Sequence, residues 1–220
     1  MERNYRSIEK QRLLEQIERE VRETAAYTGR KTLKPEVYEA MVRVPREEFV
    51  LPNDLELAYI NNALPIKHGQ TISQPYIVAL MTDLLEVDKD SIVLEVGTGS
   101  GYQAAVLGEI VKQVYSLEVI PELGEESAEK LQQLGYDNIS VKTGNGREGW
   151  PEHAPYDAII VTAVADELPP ALIEQLKPGG HLIIPIGLPG QIQRLYDVEK
   201  DISGEVKARE VLAVTFVPLV

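Results

Sequence analysis

The sequence contains no cysteine, which excludes a disulfide scaffold, a thiolate zinc site and a cysteine nucleophile, and suits a reducing compartment. Its three histidines, His68, His153 and His181, are scattered without metal-ligand spacing, so no metal centre is expected. An apolar run of membrane-spanning length is missing, and Met1-Glu2-Arg3-Asn4-Tyr5-Arg6 carries no apolar signal core. A soluble, cytoplasmic protein is the expectation. Positive charge is in deficit: 22 Lys and Arg stand against 35 Asp and Glu, a formal charge of -13. Phosphate binding needs a basic face that such a composition does not advertise, so nucleic acid is not expected as a partner. Internal repeats and low-complexity tracts are also lacking. What is present is 220 residues, 44% hydrophobic and 26% charged, enough for one well-buried core with a modest appendage and too few for two full domains.

Residues 6–27 place Ile8, Leu13, Leu14, Ile17, Val21 and Ala25 at helical spacing among Glu and Arg, predicting an amphipathic helix. A second helix opens at Lys34-Pro35-Glu36 and closes at Val44-Pro45. These two form an N-terminal helical cap. Residues 52–74 are irregular and rich in Asn, Pro and Gly, with no obvious element; long ordered loops in compact domains are usually functional. Ile77, Val78, Leu80, Met81, Leu84 and Leu85 then predict a helix from about Pro75 to Leu85.

After Asp88, strands at 92–96, 113–118, 138–142, 157–162 and 181–186 alternate with helices at 102–111, 121–134 and 168–176. That alternation predicts a parallel sheet with helices on both faces. Ile159-Ile160-Val161 and Leu182-Ile183-Ile184 are continuous apolar runs, as strands covered on both sides require. Lys177-Pro178-Gly179-Gly180 reads as a helix stop. Segments at 193–198 and 211–217, separated by the polar turn 200–204, read as an antiparallel hairpin at the sheet edge. The predicted class is α/β: a doubly wound, mostly parallel Rossmann-like sheet with an antiparallel C-terminal hairpin and an N-terminal helical cap. One domain spans 1–220, with cap and functional loop in 1–87 and the α/β core in 88–220.

Within that core, Val93-Leu94-Glu95-Val96-Gly97-Thr98-Gly99-Ser100-Gly101-Tyr102 runs from an apolar strand through three glycines into a helix. Glycine serves where the backbone takes positive φ or lies too close to a ligand for a Cβ. The spacing is GxGxG, not the GxGxxG of a dinucleotide fingerprint, which points away from NAD. Glu118 follows the next strand, where a carboxylate accepts both hydroxyls of a ribose. Gly144-Asn145-Gly146 and Thr162-Ala163 follow the next two strands. Ligands of open α/β sheets lie beyond the carboxyl ends of the strands, so these four loops share one crevice suited to a nucleoside-bearing cofactor.

These motifs, with Tyr156-Asp157-Ala158-Ile159-Ile160-Val161 and Leu176-Lys177-Pro178-Gly179-Gly180, resemble those of class I S-adenosylmethionine-dependent methyltransferases. The segment Leu64-Pro65-Ile66, followed by His68-Gly69-Gln70-Thr71-Ile72-Ser73-Gln74-Pro75-Tyr76, resembles the signature of the protein-L-isoaspartate O-methyltransferase family. Val44-Pro45-Arg46-Glu47-Glu48-Phe49-Val50, Gly149-Trp150, Ala154-Pro155-Tyr156-Asp157 and Phe216-Val217-Pro218-Leu219 add to the likeness, which covers residues 35–220. The resemblance implies an enzyme that uses S-adenosylmethionine to methylate the α-carboxyl of L-isoaspartyl residues in damaged proteins and peptides.

It also implies site residues. Ser73 falls at the family's active-site serine, where its hydroxyl would orient the substrate carboxylate; N-capping of the following helix is the competing role. Gln70 and Thr71 either contact substrate or hold the loop, and His68 reads as a solvated loop residue. For the cofactor, Gly97, Thr98, Gly99, Ser100 and Gly101 pass close to the methionine portion, Glu118 takes the ribose hydroxyls, and Asn145 with Gly146 faces adenine. Thr162 belongs to the fourth loop, Glu95 acts through water or by orienting the glycine loop, and Val119 packs on the adenine face or in the core. Three departures from the family pattern stand out: Asn145 where Asp is usual, Ile60 where an acidic residue is common, and Thr162-Ala163-Val164-Ala165-Asp166 in place of an alanine-proline ending. Two other readings stay open on the residues alone: a carboxyl methyltransferase with one dedicated peptide or small carboxylate, and a non-catalytic cofactor-binding module. A nicotinamide reductase is the remaining enzyme reading.

Overall fold

The structure, a computed structural model, describes residues 2–188 and 191–219, the first four of them by backbone alone. Met1, Pro189, Gly190 and Val220, which the expected 1–220 span includes, lie outside the described residues. The N-terminal helix is α1 (Glu2–Glu23), broken at Thr24 before a single turn, α2 (Ala25–Thr28), that ends in a left-handed Gly29. Helix α3 (Pro35–Arg43) starts on its proline and ends where Val44 turns extended ahead of Pro45, because a residue before proline is forced out of the helical region. The stretch at 52–74 is more ordered than its composition suggests. It holds a 3-10 turn at Pro52–Leu57 and a short antiparallel ladder of β1 (Leu64–Pro65) with β2 (Thr71–Ile72), pairing Leu64 with Ile72 and Pro65 with Thr71. Two pairs leave almost no periodicity to read.

Helix α4 (Pro75–Leu84) is buried along nearly its whole surface. The α/β core follows: β3 (Ile92–Val96), α5 (Tyr102–Gly108), β4 (Gln113–Glu118), α6 (Pro121–Gln133), β5 (Ile139–Thr143), β6 (Tyr156–Val161), α7 (Pro170–Gln175), β7 (Leu176–Ile186), β8 (Gln193–Lys200) and β9 (Val206–Val214). The sheet order is β5-β4-β3-β6-β7-β8-β9, parallel from β5 to β7 and antiparallel over the last two strands. This is the doubly wound α/β class with its antiparallel C-terminal hairpin. Strand β7 begins at Leu176, earlier than the apolar run indicates. Helix α7 stops at Gln175, just before Lys177-Pro178-Gly179-Gly180 as expected, and that segment forms an irregularity between the pairs Tyr156–Leu176 and Ala158–His181.

Alternation along the strands feeds two cores. Val93, Val114, Ala158, Ile160 and Ile183 face one side and join a cluster that includes Ile17 of α1, Val37 of α3, Leu80 of α4 and Val106 of α5. Leu94, Leu117, Ile159, Leu182 and Ile184 face the other and pack with Leu172 of α7 and Trp150. A period of two, buried on both faces, is why these strands read as unbroken apolar runs. The chain winds outward from β3 through β4 to β5, then returns to place β6 on the other flank of β3. That reversal opens a crevice above the ends of β3 and β6. Among the described residues, no helix is long and apolar enough to cross a membrane.

One carboxylate fastens the two flanks at the opposite end of the sheet. Asp157 accepts from the Ile92 backbone N–H at 2.7 Å and from Lys177 Nζ at 2.7 Å, tying β6 to the start of β3 and to the β7 irregularity. Asp157→Ala is expected to lower unfolding free energy by about 1–2 kcal/mol, mainly through the Ile92 donor, since the Lys177 pair is part-exposed and screened. Urea denaturation measures this, and a variant as stable as the parent would remove the fastening role.

Candidate active site

The glycine bend leaves β3 and is fixed to the end of β4. Gly97 N and Thr98 N both donate to the Leu117 carbonyl, at 2.8 and 3.1 Å, and Gly99 N donates to Glu118 Oε2 at 2.8 Å. Glu118 Oε1 accepts from Ile120 N at 3.1 Å, so its carboxylate is aimed by two backbone donors. Each oxygen keeps a further lone pair for a ligand. Gly97 has φ +98°, a backbone region closed to ordinary side chains, and a Cβ there would collide with the Thr162 hydroxyl. Thr162 Oγ1 donates to the Gly97 carbonyl at 2.6 Å. A Cβ on Gly146 would strike Val96. The bend, the fourth loop and the third loop are therefore pressed together as tightly as glycine allows.

The crevice is lined by Gly97, Gly99, Glu118, Val119, Gly146 and Thr162, together with Gln70 and Thr71 from the β1–β2 hairpin. Eight expected residues thus meet at one place. Val119 is 40% exposed on this wall, so it belongs to the crevice and not to the core. Thr98 and Ser100 are buried beneath the bend: Thr98 Oγ1 lies 2.6 Å from Ser116 Oγ. Gly101 packs against Leu131. Asn145 does not line the crevice. Its side chain is exposed and caps its own turn, accepting from Arg147 N at 3.0 Å and donating to Glu148 Oε1 at 3.0 Å; the neighbouring glycines, Gly144 and Gly146, form the wall instead.

Ser73 opens a second space. Strand alternation puts Thr71 and Ser73 on one side of the hairpin and buries Ile72 on the other. Both line a groove of about 740 Å³ that also takes in Asn62, Gln74 and Gln193. Thr71 is shared between crevice and groove. The N-cap of α4 is Gln74 and carries no side-chain cap bond, so Ser73 is not the capping residue that its position before Pro75 suggests. Among the described residues its hydroxyl has no hydrogen-bond partner. The hairpin is anchored by Asn61, which accepts from Tyr76 N at 2.9 Å and donates to Glu20 Oε1 at 2.8 Å. His68 is an exposed turn residue at φ +58°, while His153 stacks on Tyr115 at 3.9 Å and His181 bonds Asp197 at 2.8 Å.

Sequence reasoning assigned no site role to Val217, Pro218 and Leu219, which form an apolar wall of the crevice. They arrive by backbone pairing: Val164 N donates to the Val217 carbonyl and Leu219 N to the Val164 carbonyl, each at 2.8 Å. The short apolar run after the last strand was the available signal, but nothing local shows where it lands.

A parallel sheet with a glycine-bent switch point and an acidic tip on the neighbouring strand defines a Rossmann-like protein of the class I methyltransferase type. The sequence profile described as "Protein-L-isoaspartate(D-aspartate) O-methyltransferase (PCMT)" matches residues 10–220, and the chain belongs to that family. It is 56% identical over 208 residues to protein-L-isoaspartate O-methyltransferase 2 of Syntrophobacter fumaroxidans, covering 94% of this chain and 84% of the relative. It is 54% identical over 207 residues to protein-L-isoaspartate O-methyltransferase 2 of a Polaromonas species, covering 94% and 98%. Among solved structures, a Plasmodium falciparum protein described as a putative protein-L-isoaspartate O-methyltransferase in complex with S-adenosyl-L-homocysteine superposes with a TM-score of 0.78 at 30% identity, over 94% of this chain and 96% of that one.

Glu95 underlies the whole bend. It is fully buried, accepts from the Ser116 hydroxyl, and leaves Oε1 without a hydrogen-bond partner among the described residues. Burial pushes its carboxyl up to about 8, with the Glu118 charge adding in the same direction and the Ser116 bond opposing. The folded protein therefore keeps a proton that the unfolded chain releases near the ordinary glutamate value, about 4.3. Folding is opposed increasingly as pH rises between those values, by up to about 1.4 kcal/mol per pH unit, and the loss levels off above them. Glu95→Gln removes this dependence. Denaturation at pH 5, 6.5 and 8 is expected to show the variant gaining on the parent as pH rises; parallel stability curves would show that Glu95 is ionised in the fold.

Proposed function

We propose that the chain transfers a methyl group from S-adenosylmethionine to the α-carboxyl of L-isoaspartyl residues in damaged proteins and peptides, with the cofactor in the glycine crevice and the substrate carboxylate in the Ser73 groove. The activity and cofactor follow from family membership; the residue roles are our own reading. The observation that carries it is Thr71, one residue lining both spaces, so that a donor in one and an acceptor in the other meet across it. The lining of the crevice suits the cofactor's parts in chemical type. Its tight glycine walls admit a ligand against bare backbone, Glu118 has free acceptor capacity for ribose hydroxyls, and Val119 with Val217, Pro218 and Leu219 offers apolar surface to a purine.

When bound, the cofactor supplies an electrophilic methyl on a positively charged sulfur. The protein's task is placement. A peptide α-carboxyl has an ordinary pKa of about 3.5 and is already ionised near neutral pH, so no general base is needed. Ser73 is positioned to donate a hydrogen bond to one carboxylate oxygen, leaving the other directed toward the methyl, while Gln70 and Thr71 close the approach between the two spaces. Excluding water matters because a hydrated carboxylate is a poor nucleophile. Gly97, Thr98, Gly99, Ser100 and Gly101 shape the bend, Thr162 braces it, Gly146 completes the wall beside Asn145, and Glu95 supports the bend from beneath. We read the whole span as one domain, on the strength of a hydrophobic cluster that α1, α3, α4, α5 and the sheet share. A cytoplasmic location accords with the lack of cysteine, and the charge of -13 argues against nucleic acid as a partner.

The purified protein is expected to transfer radiolabelled methyl from S-adenosylmethionine to isoaspartyl peptides of unrelated sequence and not to their aspartyl twins. Cofactor binding without transfer would overturn the repair reading, and transfer to a single partner would favour a dedicated substrate. Ser73→Ala is expected to bind S-adenosylhomocysteine as the parent does and to lower kcat by about ten- to a hundredfold, because the carboxylate oxygen is no longer held in line with the methyl. Unchanged turnover would remove the role given to Ser73.

A further inference from the structure

Arg46, the first residue of the 3-10 turn Arg46–Phe49, is fully buried. Its Nη2 donates to the Asn62 carbonyl at 3.3 Å, and its guanidinium stands 4.8 Å from the centre of the Tyr102 ring, directly after the glycine bend. Nε and Nη1 have no hydrogen-bond partner among the described residues. Among the described residues no carboxylate neutralises the group: that of Glu47, next in the chain, accepts from the Tyr59 hydroxyl instead. Burial lowers the affinity of Arg46 for its proton, yet a guanidinium stays charged at neutral pH. Buried cations without a counter-ion are among the costliest arrangements a fold retains.

Asn62 also lines the Ser73 groove, and none of the described residues lining that groove is charged. A neutral groove in a protein of net charge -13 offers poor reception to an anion. The missing negative charge behind the wall and the missing positive charge in the groove answer each other.

We propose that Arg46 is a positioning residue that supplies the counter-charge for the substrate carboxylate, acting through the Asn62 segment that separates the two. This rests on the carboxyl-methylation reading above. Its effect has a definite sign. The carboxylate carries full charge in the ground state and loses it as the ester forms, so a nearby cation favours bound substrate more than the transition state. Arg46 therefore lowers KM and does not raise kcat.

The test uses the full chain with Arg46→Met and Arg46→Lys, an isoaspartyl peptide as substrate, and its neutral α-carboxamide counterpart as competitive inhibitor. At an effective dielectric of about 20, a unit charge separated from the carboxylate by one backbone segment alters affinity by roughly tenfold or more. Arg46→Met is expected to raise KM for the carboxylate peptide by about that factor, with kcat equal to or above the parent's and the inhibition constant of the carboxamide within about twofold. Arg46→Lys, which keeps the charge in place, is expected to preserve the ratio of the two constants within about threefold. Equal weakening of both ligands, or no rise in KM, would show a merely structural residue and overturn the proposal. Should Arg46→Met not fold, a collapsed ratio in Arg46→Lys overturns it as well. Failure of the unaltered protein to methylate would count against the functional reading, whereas transfer with an unaltered carboxylate-to-carboxamide ratio in Arg46→Met counts only against Arg46.

Discussion

The docking of the glycine bend onto the end of β4 is the constraint on which the site depends. Three consecutive N–H groups, from Gly97, Thr98 and Gly99, are spent on the Leu117 carbonyl and the Glu118 carboxylate. This uses donors that a sharp turn would otherwise leave unpaired, and it sets where the bend can lie. Glu118 is consequently a fastening as well as the group we propose for the ribose, held by two backbone donors before any ligand arrives. Such preorganisation means that little reordering is left to oppose binding. The Thr98–Ser116–Glu95 chain beneath the bend adds a second fastening between the same two strands.

The cap reaches the site by another route. Helix α1 reaches the β1–β2 hairpin through Glu20 and Asn61, and Asn61 in turn accepts from Tyr76 N, the first N–H of α4. Thr24 meets the Tyr76 hydroxyl at 2.7 Å. The hairpin bearing Thr71 and Ser73 is thus fixed from the cap, while the crevice is fixed from the sheet. The groove lies where the two systems abut, and Arg46, between Asn62 and Tyr102, touches both.

Long elements were legible because burial on both faces leaves a strong signature. The five parallel strands and helices α3, α4 and α6 stand within a few residues of where periodicity and proline place them. Local chemistry that needs a particular backbone was legible too: Gly97 is required by its own φ and by Thr162, and that requirement shows in the letters. Features set by distant pairing were not. The β1–β2 ladder has too few residues for a period, and Leu176 starts β7 because Tyr156 pairs with it, a contact across 20 positions. Asn145 illustrates the limit at the site itself. Its type suits a base edge, but adjacent Arg147 and Glu148 offer nearer partners and its side chain takes them.

The crevice walls come from segments near residues 70, 97, 118, 146, 162 and 218, so no fragment of the chain possesses the site. Occupancy must therefore favour the complete fold over every partly unfolded form. A ligand at a hundred times its dissociation constant adds about 2.7 kcal/mol to that preference. A methyl donor present at such levels acts as a folding ligand as well as a reagent, and a cell short of it holds an enzyme that is more easily cut and more easily lost.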